Sequence, residues 1–262
     1  MALIKNWIVT GDTHGGFNTL IRLTDIAKNM SKYKIEETGV IILGDSGLNF
    51  WLNKSDKKFK KLINDFGYHI YCVRGNHEER PENLGYELKY DSEVSGFVYY
   101  DSEFDNIKYF ADGNTYQIDK YSILIIGGAY SVDKYHRLLR AGYSPKDAEI
   151  ADPKKCGWFK DECLTKEEMD NIFKNIKNKS FDFIFTHTCP LDWEPSDLFL
   201  SSIDQSSVDK SMERWLNDVK NNIDWKIWCF GHFHADRIER ENVEQMFMNY
   251  QTLEDIWNRW NN

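Results

Sequence analysis

The chain has 262 residues, of which 41% are hydrophobic and 15% aromatic, so it can fill a sizeable core and does not have the composition of a disordered protein. Its formal net charge is −9 and it has no basic stripe, so we expect no binding of extended duplex nucleic acid through the phosphates. No apolar stretch approaches the roughly 20 residues that span a bilayer, and no signal-peptide pattern opens the chain. We therefore expect a cytoplasmic protein without membrane contact.

The first third of the chain predicts three buried strands and two amphipathic helices. The strands are apolar, β-branched runs at residues 7–9, 40–43 and 70–73. Apolar residues at helical spacing follow the first two strands and predict the inner helix faces Phe17, Leu20, Ile21, Thr24 and Ala27, then Phe59, Leu62, Ile63 and Phe66. This β-α-β-α-β order is typical of a layered α/β sheet.

The middle of the chain has a different texture. Short alternating segments with turn glycines at residues 86–121 predict antiparallel hairpins, and a buried strand is expected at residues 122–126. A capping box at residues 165–168 then predicts the start of a helix.

The last third predicts two buried strands and two helices. The strands are expected at residues 183–185 and 225–230, with a helix over 208–219 between them. Four apolar residues near the C-terminus have helical spacing, so an amphipathic segment at about residues 251–262 is expected to pack on the domain: Leu253, Ile256, Trp257 and Trp260.

Five short polar clusters each follow a predicted strand. They are GDTHG at 11–15, GDSG at 44–47, RGNHE at 74–78, THT at 186–188 and GHFH at 231–234, and they contain five of the seven histidines. Because α/β proteins bind ligands at strand ends, we expect these clusters to meet at one site. The first and last clusters would then share one folding unit, which predicts a single domain over residues 1–262.

The residue types in these clusters suit metal binding. Asp12 and His14 are two residues apart, so in extended backbone their side chains would hold one ion together, and His232 and His234 repeat this spacing. Asp45 has two oxygens and can bridge two ions. The remaining candidates are the carbonyl oxygen of Asn76 and the imidazole of His187. Taken singly, each also fits a structural role as a cap, turn residue or core histidine; together, oxygen and imidazole without thiolate favour Mn, Fe, Zn or Ni.

The order of the motifs, D-x-H, G-D, G-N-H-E, a lone His and G-H-x-H, resembles the calcineurin-like metallophosphoesterase superfamily of bacterial and phage type over residues 11–234. The resemblance implies an α/β fold, a four-layer sandwich of two mixed β-sheets flanked by α-helices. It also implies two divalent metal ions, with Mn first among them. One ion would bind Asp12, His14, Asp45 and His234, and the other Asp45, Asn76, His187 and His232. His77 would be the general acid or leaving-group contact and not a ligand.

Two catalytic candidates are the first and last residues of the third cluster. Arg74 resembles the phosphate-contacting arginine of the Ser/Thr protein phosphatase and bacteriophage phosphatase branch. The second motif departs from that branch, because Leu48 stands where an aspartate supports the catalytic histidine. Glu78 or another carboxylate is expected to orient His77 instead.

A glycine-rich segment supplies candidate substrate contacts. GGAYSVD at residues 127–133 follows a strand and leads to Arg137, and it resembles a segment of uncharacterised bacterial and phage metallophosphoesterases. Tyr130, Asp133 and Arg137 are therefore candidate substrate-binding residues. The alternative is a simple bend after the strand.

These features predict a dinuclear metal-dependent phosphoesterase that hydrolyses phosphomonoesters by attack of metal-bound hydroxide. Its substrate would be a phosphorylated small molecule or an exposed phosphate ester. Two alternatives remain: a phosphodiesterase acting on cyclic nucleotides or nucleic-acid ends, and a metal-binding scaffold without turnover.

Overall fold

The computed structural model describes residues 3–199, 201 and 204–261, in which two β-sheets carry helices on their outer faces. The strands are β1 (Asn6–Thr10), β2 (Thr38–Ile42), β3 (His69–Cys72), β4 (Glu87–Asp91), β5 (Gly96–Tyr100), β6 (Ile107–Phe110), β7 (Thr115–Ile118), β8 (Tyr121–Ile126), β9 (Ser180–Thr186), β10 (Asp224–Phe230), β11 (Arg237–Arg240), β12 (Val243–Gln245) and β13 (Tyr250–Thr252). The helices are α1 (Gly16–Asn29), α2 (Lys54–Phe66), α3 (Lys134–Arg140), α4 (Pro153–Cys156), α5 (Lys166–Ile176), α6 (Ser211–Asn222) and α7 (Leu253–Asn261). No helix in these ranges is both long and apolar enough to cross a membrane.

The first sheet has the strand order β13-β1-β2-β3-β6-β5-β4. Its centre is parallel, with Val9 opposite Ile41 and Ile41 opposite Tyr71, because α1 and α2 provide the crossovers that parallel strands require. The hairpin strands β4 and β5 extend one edge antiparallel to β6, and β13 pairs antiparallel with β1 at the other. The carboxyl ends of the parallel strands β1, β2 and β3 therefore lie side by side at the same end of the sheet.

The second sheet has the order β11-β12-β10-β9-β8-β7, and β8, β9, β10 and β12 run parallel. Strand β7 forms an antiparallel hairpin with β8. The antiparallel hairpins predicted for residues 86–121 are confirmed. They are divided between the two sheets, since β4 to β6 belong to the first sheet and β7 to the second.

Successive side chains along each strand point to opposite faces of its sheet, and the packing of both faces produces four layers. In β2, Ile41 packs in the core between the sheets with residues such as Phe183 and Ile227, whereas Val40 and Ile42 pack outward among residues of α1 and α2. The outer face of the second sheet packs in the same way against α5 and α6. The predicted sandwich of two mixed sheets flanked by helices is confirmed.

The buried face of α1 differs from the prediction. Phe17 is 71% exposed and Ile21 is 55% exposed, while Ile26 and Arg22 are buried. The Arg22 guanidinium donates to the Phe247 carbonyl at 2.7 Å. An apolar spacing rule cannot anticipate a buried arginine, because its burial depends on an acceptor far along the chain.

The second helix shows the same effect. Ile63 is buried as predicted, but Leu62 is 42% exposed. Asp56 and Lys60 are buried instead, where the Asp56 carboxylate accepts the Leu52 N–H at 2.7 Å and Lys60 forms an ion pair. Polar partners therefore set the orientation of both outer helices.

The later helices begin close to their predicted positions. The Thr165 side chain accepts the Glu168 N–H, and the Glu168 carboxylate accepts the Thr165 N–H, so the predicted capping box opens α5. Helix α6 begins at Ser211, three residues later than expected. In α7, Leu253 and Ile256 are buried in the core between the sheets as predicted, while residue 262 lies outside the described residues.

Candidate metal centre

All five polar clusters meet where the carboxyl ends of both sheets face each other. The first sheet contributes the loops after β1, β2 and β3, and the second contributes those after β9 and β10. The structure thereby brings together every residue predicted to bind metal: Asp12, His14, Asp45, Asn76, His187, His232 and His234. Chain segments more than 200 residues apart form one site.

A first group of possible ligands comprises Asp12, His14 and His234. The Nε2 atoms of the two histidines are 2.7 Å apart, and His234 Nε2 is 3.4 Å from Asp12 Oδ2. Asp12 raises the pKa of His234 through this contact, although burial opposes the shift. Two neighbouring ring nitrogens beside a carboxylate are a fitting donor set for a divalent cation.

A second group lies around the Asn76 carbonyl oxygen. Its Oδ1 is 2.8 Å from His187 Nε2 and 3.1 Å from His232 Nδ1, and Asp45 Oδ1 is 3.6 Å from His187 Nε2. His187 Nδ1 donates to the Leu43 carbonyl at 2.9 Å, which leaves Nε2 unprotonated and free to bind a metal. This donor set also fits a divalent cation.

Asp45 lies between the two groups. Its Oδ2 is 3.8 Å from His14 Nδ1, whereas its Oδ1 faces His187. Burial alone would raise the pKa of Asp45, but His187, His77 and His14 lower it, so the carboxylate is ionised at neutral pH. This is the placement expected of a ligand shared by two ions.

Left-handed backbone conformations, and not extended strands, position these side chains. His14, Asp45, His232 and His234 have φ angles of 50°, 43°, 67° and 53°. Our expectation that the D-x-H and H-x-H pairs would act from extended backbone is therefore wrong. Left-handed backbone is costly for residues other than glycine and often marks functional sites.

Two glycines allow the loops to approach this closely. A Cβ atom at Gly44 would overlap the His187 ring, and one at Gly231 would overlap the Asp12 carboxylate. Gly44 also has a φ of 96°, which a side chain would disfavour. The glycine before each motif is thus needed for space beside the ligands.

A buried polar chain orients Asn76. Its Nδ2 donates to Ser131 Oγ at 2.8 Å, and the Ser131 hydroxyl donates in turn to Glu162. Burial raises the pKa of Glu162 to about 7. The chain directs Asn76 Oδ1 towards the imidazoles. Sequence reasoning did not identify Ser131 or Glu162; the only signal was that Ser131 lies inside the glycine-rich segment 127–133.

His77 lines the same site without joining either ligand group. Its Nε2 is 3.3 Å from Asn76 Nδ2 and 3.5 Å from Arg137 Nη2, both donors, so Nε2 is unprotonated in this arrangement. Its backbone N–H donates to Asp45 Oδ1 at 2.8 Å. Burial lowers the pKa of His77, Asp45 opposes this, and Arg137 adds to it.

Arg74 does not occupy the position that its motif predicts. It is 4% exposed, and its Nε donates to Asp112 Oδ2 at 2.7 Å while Nη1 donates to the Glu162 carbonyl at 2.7 Å. Nη2 donates to the Gly127 carbonyl at 3.3 Å. With every guanidinium nitrogen engaged away from the ligand groups, the predicted phosphate contact is not supported. Through its hydrogen bond to Gly127, Arg74 instead links the end of β3 to the loop after β8.

Glu78 likewise has a structural placement. Its buried carboxylate accepts the Gly75 N–H at 2.8 Å and the Ser46 hydroxyl at 2.6 Å, and burial raises its pKa to about 7. Within the described residues Glu78 forms no hydrogen bond with His77. The expectation that Glu78 orients His77 is therefore wrong. Leu48 is buried in the apolar core between the first sheet and its helices.

The ligand groups open into a cavity of about 760 Å³. Tyr130, Asp133 and Arg137, the candidate substrate contacts, all line it. Arg137 Nε donates to Asp133 at 2.7 Å and Nη1 donates to the Gly157 carbonyl at 2.9 Å, which holds Nη2 beside His77. Arg137 and not Arg74 therefore provides the cation in this cavity.

Three solved structures show similarity at low sequence identity. One crystal structure is 11% identical over 95% of both chains, with a TM-score of 0.48. Phosphopantetheinyl hydrolase from Mycobacterium tuberculosis is 11% identical over 100% of this chain and 94% of its own, with a TM-score of 0.42. A cold-active protein-tyrosine phosphatase of a psychrophilic Shewanella species is 14% identical over 94% and 72%, with a TM-score of 0.29. At TM-scores below 0.5 these similarities carry no conclusion.

A family model decides the relationship. No curated protein matches the chain, but the model of the calcineurin-like phosphoesterases matches residues 6–236. This range includes all five clusters and both ligand groups. The chain therefore belongs to the calcineurin-like phosphoesterase family and is a metal-dependent phosphoester hydrolase.

Proposed function

We propose that the protein is a dinuclear phosphomonoesterase, with Mn²⁺ as the preferred ion. The observation that carries the proposal is the position of Asp45, which faces both ligand groups at the base of one cavity. When bound, two such ions lower the pKa of a water molecule and neutralise phosphate charge. We assign one ion to Asp12, His14, Asp45 and His234, and the other to Asp45, Asn76, His187 and His232.

Arg137 binds the terminal phosphate oxygens in this proposal. Asp133 and the Gly157 carbonyl hold two of its nitrogens, so Nη2 is presented beside His77 without reorganisation. A positively charged N–H donor held in a fixed position suits a dianionic group with several free oxygens. A monoester offers more such oxygens than a diester, so we place phosphomonoesters of small molecules first.

His77 supplies the proton to the leaving oxygen. Its Nε2 accepts from Arg137 and Asn76 in the free site, as their distances indicate. A phosphate that takes the Arg137 donor, with Asn76 Nδ2 retained by Ser131 Oγ, leaves Nε2 free to take up a proton from solvent and to pass it to the leaving oxygen. The histidine then stands beside the ester without binding metal.

The test compares p-nitrophenyl phosphate with its bis ester in the presence of Mn²⁺. We expect faster hydrolysis of the monoester and loss of both activities after chelation. Arg137→Met should lower kcat/KM for the monoester by roughly 10- to 100-fold, because a hydrogen bond to a charged group is lost. Arg140→Met is the matched control, since Arg140 is exposed on the same helix.

Each contrary result has a distinct meaning. Faster hydrolysis of the bis ester would favour the phosphodiesterase. Tight binding of two ions without product from either ester would favour the scaffold. Full activity of Arg137→Met on the monoester would remove Arg137 from phosphate binding.

A further inference from the structure

The cavity extends well beyond the ligand groups. Its volume of about 760 Å³ lies in the range that encloses a drug-sized molecule, far more than one phosphate requires. The additional space is walled mainly by apolar side chains from the loop after β8, the segment before α6 and the loop after β10: Tyr130, Val132, Leu198, Phe199, Val208 and Phe233. The part of a substrate that lies beyond the phosphate would therefore contact an apolar surface.

Two aromatic rings form a pair in this wall. Phe199 and Phe233 have centroids 6.3 Å apart and planes inclined by 26°, which is close to parallel. Lys210 lies 5.0 Å from the Phe199 ring centroid, and its Nζ is 2.6 Å from Glu194. Both rings line the cavity, and aromatic side chains pack favourably against other flat rings.

The charges of the wall are negative. Glu194, Asp209 and Glu213 line it, and Arg137, beside His77, is the only basic side chain among the described residues that line the cavity. Lys210 is already paired with Glu194. Glu213 Oε1 accepts the Thr188 hydroxyl at 2.8 Å, but its Oε2 has no hydrogen-bond partner in the described chain. A second anionic group on the substrate would meet Asp209, and also Glu213 once the pH exceeds its raised pKa of about 7.

We infer that the substrate is a phosphomonoester of an aromatic or similarly flat apolar alcohol that carries no second negative charge. The inference rests on the proposed function, in that the phosphate occupies the ligand groups and the alcohol lies against Phe199 and Phe233. It disfavours nucleoside di- and triphosphates, sugar bisphosphates and acidic phosphopeptides. It favours a leaving group with a hydrogen-bond donor or a positive charge at its far end.

A matched set of esters tests the ring surface. With Mn²⁺-loaded enzyme, 1-naphthyl phosphate should have a KM roughly 2- to 10-fold below that of phenyl phosphate, and glycerol phosphate should be the poorest. Phe199→Ala should bring the naphthyl and phenyl values together. Phe97→Ala, a control with the same change at a site that does not line the cavity, should keep the wild-type ratio.

A charged ester tests the acidic wall. The para-carboxyphenyl ester of phosphate should have a KM roughly 2- to 5-fold above that of phenyl phosphate at low salt. Asp209→Asn removes a charge but keeps the side-chain acceptor for the Ser211 N–H, so it should reduce this penalty. Asp152→Asn makes the same change at an aspartate outside the cavity that likewise accepts the N–H two residues on, and it should not reduce the penalty.

Failure of this inference differs from failure of the proposed function. Hydrolysis with equal KM for naphthyl and phenyl phosphate, or a Phe199→Ala variant that keeps the wild-type ratio, overturns the inference alone. Absence of hydrolysis of every ester by metal-loaded protein overturns the proposed function. In that event calorimetric titration with the same two esters decides the inference, which requires tighter binding of the naphthyl ester and loss of that difference in Phe199→Ala.

Discussion

The two ends of the cavity are built from different kinds of structure. At the metal end, Asp12, Asp45, Asn76 and the paired histidines follow strands of two packed sheets, and their backbone is fixed in left-handed turns or beside glycines. At the far wall, the described residues 191–199, 201 and 204–208 form short 3₁₀ turns and loops before α6, with several side chains exposed to solvent.

This difference indicates that the two ends of the cavity have different functions. A site held on strand ends keeps its geometry when a substrate binds, which suits ions and the transfer of a proton. A wall of short turns can change its residues without disturbing the sheets, which suits the selection of a leaving group. We therefore expect mutations at the metal end to affect turnover and mutations at the wall to affect KM or stability.

The largest effect is expected from His77→Ala at the metal end. Loss of a general acid should lower kcat for p-nitrophenyl phosphate by roughly 100- to 10,000-fold, while two ions per chain remain bound. Metal content by emission spectroscopy and steady-state kinetics test this together. His136→Ala, at an exposed position on α3, is the control. A His77→Ala enzyme with wild-type kcat would show that the proton comes from elsewhere.

At the far wall, Glu213 should make stability depend on pH. Burial raises its pKa from 4.5 to about 7, so the folded protein keeps this proton to a higher pH than the unfolded chain does. The contribution to the free energy of unfolding is complete below about pH 4.5 and is lost as pH rises through about 7. In Glu213→Gln, the fall in that free energy between these pH values should be smaller by about 2–3 kcal/mol.

Urea unfolding of metal-free protein at pH 5 and pH 8 measures this difference. Glu194 opposes and Lys210 favours ionisation of Glu213, and both remain in the variant. Glu241→Gln provides the same change at an exposed residue and should follow the wild type. An unchanged pH dependence in Glu213→Gln would mean that Glu213 is ionised in the fold.

The smallest effect concerns the buried chain that orients Asn76. Ser131→Ala removes the acceptor for Asn76 Nδ2, so the Mn²⁺ ion that we assign to Asn76 should bind roughly 10- to 100-fold less tightly. Electron paramagnetic resonance of free Mn²⁺ during titration measures this directly. Ser55→Ala, at an exposed position in α2, should bind both ions as the wild type does. Wild-type affinity in Ser131→Ala would limit the role of this chain to packing.

The layered fold and the position of the metal end could be predicted because both depend on local patterns. Apolar runs predict the central strands, and a polar residue that follows such a run must lie where the strand ends. The D-x-H and H-x-H pairs were placed together correctly, although their backbone is left-handed and not extended.

Buried arginine and carboxylate partners could not be predicted in the same way. A sequence shows the charge of Arg74 but not Asp112, which lies beside it only after folding. The same holds for Arg22 in α1 and for Glu78, whose partners are a distant carbonyl and a neighbouring loop. Of the far wall, Tyr130 was predicted as a substrate contact, whereas Leu198, Phe199 and Val208 belong to no motif and emerged only from the structure.

The distribution of ligands between the two sheets has a mechanical consequence. Asp12, Asp45 and Asn76 belong to one sheet and His187 and His232 to the other, so a bound ion would fasten the two layers at the edge where they meet. Sliding of one layer over the other would then require breaking coordinate bonds. Occupancy by metal should therefore raise the melting temperature of the whole sandwich and slow amide exchange in strands of both sheets, including those far from the ions.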